Sequence, residues 1–379
     1  MTTGKTNTHS GFYLCSSVFI RGNSRLFRGL SALSVVMLLI SGCVKPEPRI
    51  TQTELTTRLM TDRVMTVRGV IAPEEMEVTL PHEHVLVDFI GADQASPSRY
   101  DVEEAFRTAL PHLIQLRELG CGTIAECTPA YLGRDVKLLR RLSEASGLNI
   151  ITNTGYYGAS DGKFLPEHAR KETARQLADR WTTEWRRGID GTDIRPGFIK
   201  IGVNAAPVNE LDRKLIEAAG MAHLKTGLTI AAHCPDPTAA LDVIAILQRN
   251  GVSPQALIWV HADSQGALEA YELAARSGAW VEFDGVSDTS IDKHIGLLLF
   301  MKQKGLLHRT LISHDAGWYH VGEPNGGEFR PYTTIAKKLI PALSERGFTT
   351  VEIRRLVEFN PHEAFTIRVR GDVEHPTPR

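Results

Sequence analysis

Cysteine is scarce: there are five in 379 residues, and no two form a Cys-X-X-Cys pair. That excludes a fold built on a disulfide framework, and Cys121, Cys127 and Cys234, on or beside apolar strand segments, read as buried thiols. An excess of one charge is also missing. With 43 basic and 44 acidic residues there is no basic field, and no basic cluster with interleaved aromatics, to bind nucleic acid. No glycine-rich fingerprint follows the first strand segment, which argues against a dinucleotide-binding open sheet. The apolar run at residues 30–40 is too short to span a bilayer. What remains, 42% hydrophobic and 23% charged, is ordinary globular composition with material for one large core.

That material is arranged as a cycle. Helically spaced apolar residues run to a glycine, and a short apolar strand follows. Leu138, Leu139 and Leu142 lead to Gly147; Leu215, Ile216 and Ala219 to Gly227; Leu241, Ile244 and Leu247 to Gly251; Leu268 and Leu273 to Gly278. Glycine just past a helix is a helix stop. Strands near 82, 124, 151, 199, 231, 259, 282 and 312 make eight, so the chain is read as α/β, a (β/α)8 TIM barrel spanning residues 62–370, with 371–379 as a tail. Functional residues of such a barrel gather at the carboxyl ends of its strands.

Metal-binding side chains stand at those ends. His82 and His84, two apart in Leu-Pro-His-Glu-His-Val, point the same way if extended, and Glu83 points away. His233 closes Leu-Thr-Ile-Ala-Ala-His, His261 closes Leu-Ile-Trp-Val-His, and Asp315 closes Thr-Leu-Ile-Ser-His-Asp. Four imidazoles and a carboxylate suit zinc, with manganese, cobalt or nickel as alternatives, better than calcium or magnesium. Lys200, at the end of Gly-Phe-Ile-Lys, has three readings: a lysine reaching solvent or an ion pair, a Schiff-base nucleophile, or a carbamate. Burial favours the neutral amine that either chemical route needs, and only the carbamate turns a cation into an anionic ligand.

Together, Thr-Leu-Pro-His-Glu-His, Gly-Phe-Ile-Lys, Ala-Ala-His, Val-His-Ala-Asp and Ser-His-Asp, with Gly133-Arg134-Asp135 and Phe359-Asn360-Pro361, resemble the phosphotriesterase family of the amidohydrolase superfamily over residues 64–369. The resemblance implies a distorted amidohydrolase-type barrel with two divalent cations, and cleavage of a phosphotriester, lactone or carboxylic ester by a metal-bridging hydroxide. It places His82, His84 and Asp315 on the more buried metal and His233 and His261 on the more exposed one. Carboxylated Lys200 would bridge the two, and Asp315 would take the proton. It also implies a small-molecule ester-type substrate and a homodimer. Where organophosphate-degrading relatives carry an acidic residue and a histidine after strand seven, this chain has Asp284 and Gly285. The arginine of lactonase relatives is absent there too, so neither specificity is assigned. Asp263 and Asp284 are candidates for an outer proton relay, Tyr156 or Tyr157 for a place near the reacting water, and Glu126 for the pocket. Two other classes stay open, an inactive lipid-anchored scaffold barrel and a Schiff-base lyase using Lys200.

The N-terminus carries a separate message. Arg21, Arg25 and Arg28 precede the apolar run, which ends Leu-Ile-Ser-Gly-Cys and resembles a bacterial lipoprotein signal. This implies removal of residues 1–42, lipidation of Cys43, a polar tether over 43–61, and membrane attachment through the lipid alone. The expected location is the bacterial cell envelope, facing the periplasm or the outside.

Overall fold

Runs of three to six residues rich in isoleucine, valine and threonine are too short for stable helices but suit buried strands. The computed structural model describes residues 62–371. The expected signal, Cys43, the tether and residues 372–379 lie outside the described residues. The eight central strands are β1 (Val78–Glu83), β2 (Cys121–Glu126), β3 (Asn149–Ile151), β4 (Phe198–Gly202), β5 (Thr229–His233), β6 (Leu257–Val260), β7 (Trp280–Phe283) and β8 (Thr310–Ile312). Neighbours pair in parallel, with Thr123 opposite Asn149, Lys200 opposite Ala231 and Val260 opposite His233. The third strand breaks at Thr152, and Asn153–Thr154 carries the ladder on to β4.

The barrel closes between β8 and β1 through the turn that follows β8. Asp315 N–H donates to His82 O at 3.1 Å and His84 N–H to Ala316 O at 2.9 Å, while His82 N–H donates to Ser313 Oγ at 3.0 Å. The closing seam therefore fixes candidate metal ligands. Inside the barrel, Ala125, Ile151, Phe198, Ala231, Ile258, Trp280 and Leu311 form one apolar cluster with Phe365. Phe198 meets Phe365 edge to face at 5.4 Å, and truncation to alanine at such a site costs about 3–5 kcal/mol.

Seven longer helices cover the outside: α1 (Val102–Glu118), α2 (Val136–Ser146), α3 (Ala174–Arg187), α4 (Glu210–Thr226), α5 (Pro237–Arg249), α6 (Leu268–Ser277) and α7 (Ile291–Gln303). Asp101, Asp135 and Asp236 cap their starts by accepting from two backbone N–H groups each. Gly147 and Gly227 end helices at φ 78° and 76°, the left-handed conformation that glycine takes without strain. One expectation is corrected. Helix α6 forms, but Leu268 and Leu273 face solvent and Tyr271, Ala274 and Ala275 are buried instead, because its inward stripe is aromatic and alanine-based. Cys121, Cys127 and Cys234 are buried free thiols.

Candidate metal centre

His82 and His84 leave the end of β1 with their Nε2 atoms 3.3 Å apart. Asp315 Oδ1 lies 3.1 Å from His84 Nε2 and 3.7 Å from His82 Nε2. The other ring nitrogens decide what these atoms carry. His82 Nδ1 faces Asp284 Oδ2 at 2.9 Å and Glu282 Oε2 at 3.2 Å, so it bears the proton and donates. His84 Nδ1 lies 2.7 Å from Thr128 Oγ1, a hydroxyl that accepts when Nδ1 carries the proton of the neutral ring. With both Nδ1 atoms protonated, two imidazole lone pairs and a carboxylate oxygen point at one small volume. That arrangement repels itself unless a cation enters, and it is the donor chemistry of a metal site.

Charge agrees with geometry. Burial, helped by the charge of Lys200, holds the pKa of His82 well below its ordinary value, and burial lowers His84 and His233 as well. Neutral imidazoles are the form that binds metal. Burial alone would raise Asp315, but its contact with His84 and the neighbouring imidazoles hold its carboxyl at about 2, so it is an anion at neutral pH. Asp315 and His261 both sit in the left-handed region, at φ 50° and 62°. Such strain costs on the order of 1–3 kcal/mol per residue and persists where surrounding bonds over-determine it.

Those bonds come from two carboxylates that face away from the cavity. Glu83, on the opposite face of β1 from the two histidines, accepts from Ser313 Oγ at 2.8 Å, His314 N–H at 3.1 Å and His314 Nδ1 at 2.7 Å. It also accepts from Ala316 N–H at 2.9 Å, so it clamps the turn on both sides of Asp315. Asp284 accepts from His261 N–H at 3.0 Å and His261 Nδ1 at 2.8 Å as well as from His82. Burial pulls the pKa of His261 down, but Asp284 lifts it on balance above its ordinary value.

Among the described residues, two groups bring metal-ligating atoms close together: His82, His84 and Asp315, and His82, His261 and Asp284. His233 and Lys200 belong to neither. The His233 ring stands 4.5 Å from that of His261, and its Nε2 is 2.9 Å from the Tyr157 hydroxyl. Lys200 is 2% exposed and its Nζ has no hydrogen-bond partner, an expensive state for a cation away from water.

All six residues line a cavity of about 390 Å3 at the carboxyl ends of the strands, walled by Phe89, Leu132, Phe164 and Trp318. A larger cavity of about 600 Å3 opens at the other end, beside Glu77, Val78 and Gly120, and holds none of them. Of the five further candidates only Tyr157 lines the cavity that holds those six residues. Successive residues of an extended segment face opposite sides, so Tyr156 turns away, bonds His168 Nε2 at 3.0 Å and lines a separate cavity. Glu126 is buried beneath the site on Val85 N–H. Asp263 turns outward to Lys293 Nζ at 3.0 Å and His294 Nε2 at 3.1 Å. Asp284 lies behind the imidazoles, where it orients them and does not contact the cavity. Glu282, not singled out by its sequence, is 1% exposed with Oε1 unpartnered. Two acidic residues alternating with Phe283 across a buried strand end were its available signal.

The sequence model of the phosphotriesterase family matches residues 62–365. The phosphotriesterase homology protein of Escherichia coli K12 is 30% identical over 291 residues, covering 76% of this chain and 97% of that protein. The N-acetyltaurine hydrolase of Danio rerio is 26% identical over 349 residues, covering 81% and 98%. A triple mutant of the organophosphorus hydrolase of Deinococcus radiodurans superposes with a TM-score of 0.71 at 25% identity, covering 80% of this chain and 97% of that one.

Proposed function

The chain belongs to the phosphotriesterase family, and on that premise we propose that it is a metal-dependent hydrolase that cleaves a carboxylic ester, lactone or phosphotriester. Amides join this range because one relative is named for hydrolysis of N-acetyltaurine. The observation that carries the reading is the convergence of His82 Nε2, His84 Nε2 and Asp315 Oδ1 on one small volume, with the Nδ1 atom of each ring engaged from behind.

The donor set fits two divalent cations, zinc first. His82, His84 and Asp315 would hold one, and His233 and His261 the other. Lys200 would serve both as a carbamate, formed when its amine nitrogen adds to carbon dioxide and releases a proton. The unpartnered Nζ supports this, since a carbamate removes the uncompensated cation. Bound metal would supply Lewis acidity toward the scissile C=O or P=O oxygen and bring a water's pKa toward neutrality.

The chain's own groups do the rest. Asp315, an anion over the working pH range, is placed to take the proton of the attacking water. Asp284 fixes the rings of His82 and His261, so donor positions do not have to be found anew in each turnover. The Tyr157 hydroxyl stands beside His233, where it can orient a substrate oxygen. Phe89, Phe164 and Trp318 keep bulk water from the reacting atoms. Attachment to the cell envelope through Cys43 is part of the same proposal and rests on the lipoprotein-type signal. Labelled palmitate should mark the wild type and not Cys43→Ser.

The test is metal analysis of the purified protein together with a screen of lactones, aryl esters, N-acyl amides and phosphotriesters. Two metals per chain, with at least one class hydrolysed and activity lost to chelation, are expected. A metal-free chain that hydrolyses none of them would favour a scaffold role. Trapping of substrate on Lys200 by borohydride would favour an imine-forming lyase.

A further inference from the structure

One cation of the candidate cavity has no part in the reading above. The cavity's cationic lining residues are Lys200, at its depth, and Lys163. Lys163 is exposed, and among the described residues no carboxylate pairs with it. Its Nζ stands 5.4 Å from the centre of the Phe164 ring, and its stem packs beside Gly91, where it also borders a second cavity lined by Asp93 and Glu167. Six of the ten other lysines among the described residues pair with a carboxylate, as Lys293 does with Asp263 at 3.0 Å and Lys225 with Asp179 at 2.6 Å.

The backbone beneath Lys163 is fixed. Its N–H donates to Ser160 O at 3.1 Å and its carbonyl accepts from Ala92 N–H at 3.1 Å. The flanking Gly162 carbonyl is held by Arg170 Nη2 at 2.7 Å, and Asp161 N–H donates to Asn204 Oδ1 at 3.1 Å. A tied loop therefore presents a free ammonium at the rim. Opposite it the wall is aromatic and aliphatic, and Asp315 supplies the one carboxylate among the lining residues.

A neutral phosphotriester or simple lactone has no use for that ammonium. An acyl compound with a carboxylate or sulfonate set apart from the scissile bond does: its apolar middle would lie on Phe89, Phe164 and Trp318 while its acid group meets Lys163. We propose that Lys163 is a specificity-determining residue and that the substrates are esters or amides carrying a remote monoanionic acid group. This rests on the hydrolase reading and narrows it. A partly solvated ion pair gives a modest preference, roughly 3- to 10-fold, and charge reversal should at least double that span.

The experiment compares wild type, Lys163→Met and Lys163→Glu, each reconstituted with zinc, on two matched pairs. One pair is 4-acetoxybenzenesulfonate against the neutral 4-acetoxybenzenesulfonamide. The other is the 4-nitrophenyl half-ester of adipic acid against its methyl ester. The readout is the ratio of kcat/KM within each pair, normalised to wild type, so that intrinsic reactivity cancels. A fall of about 3- to 10-fold in Lys163→Met, larger in Lys163→Glu, supports the proposal, and the pair that responds tells sulfonate from carboxylate recognition. Ratios unchanged in both variants overturn it. Calorimetric binding of 4-hydroxybenzenesulfonate to metal-free protein separates this from failure of the hydrolase reading. Binding weakened by Lys163→Glu upholds Lys163 even if no substrate turns over, and equal affinity in wild type and Lys163→Glu overturns it.

Discussion

The two halves of the donor set are held in different ways. In the inner half, each group is fixed from behind: His82 by Asp284, His84 by Thr128, and the Asp315 turn by Glu83. In the outer half His261 has the same Asp284 support, but the Nε2 of His233 is engaged by the Tyr157 hydroxyl. The inner half presents free lone pairs without any movement. In the outer half His261 does the same from its Nε2, whereas His233 presents its Nε2 only when Tyr157 lets go. The lesson is that preorganisation here comes from carboxylates that face away from the reacting atoms, and that the half nearer solvent keeps an exchangeable partner.

The largest expected effect falls on the inner half. Under the proposed mechanism Asp315→Asn keeps the shape but removes the anion that would take the proton, so kcat should drop by about 10²- to 10⁴-fold with KM little moved. Steady-state kinetics on metal-loaded protein checks this, and an altered KM with unchanged kcat would assign Asp315 to binding alone.

Asp284→Asn strikes at what the two halves share. The amide can still accept, but it no longer offers charge to His82 and His261, and metal affinity should fall about 10- to 100-fold, read by competition with a chromogenic chelator. If only one metal equivalent weakens, the two halves are less coupled than the shared carboxylate suggests.

Glu83→Gln tests the clamp without touching a donor. An amide cannot accept at both atoms, so at least one of the donors from residues 313–316 loses its partner inside the barrel wall, at a cost of about 1–3 kcal/mol. Thermal unfolding of the metal-free variant should show that loss. An unchanged melting temperature would mean that the turn holds itself.

Tyr157→Phe should have the smallest effect and act on the outer half only. It frees His233 Nε2, so metal content should stay at the wild-type level while kcat changes by no more than about tenfold. Loss of metal from this variant would reverse the assignment of Tyr157 as an exchangeable partner.

The strand pattern was readable because each buried parallel strand is a short apolar run closed by a polar residue. All eight expected strand positions fall in β1 to β8, and His82, Lys200, His233 and Asp315 stand out as polar residues ending such runs. Partners approaching from elsewhere in the chain were not readable. The alternation about Glu83 turns it away from the two histidines, but its side-chain partners lie more than two hundred residues later. Tyr156 and Tyr157 are alike in sequence, and only the register of the third strand sends one to each cavity. Asp263 follows a candidate ligand by two residues yet turns to α7, because the positive φ of His261 redirects the chain after β6.

The central claim is that Lys200 completes a two-metal centre, and the metal content of Lys200→Ala measured beside the wild type tests it most directly. Without a bridging anion each cation lacks a ligand and the two repel, so the account predicts two metals per wild-type chain, fewer in the variant with activity lost alongside, and partial recovery of both with added short-chain carboxylates. A Lys200→Ala protein that holds two metals per chain and turns over at a near-normal rate would contradict it.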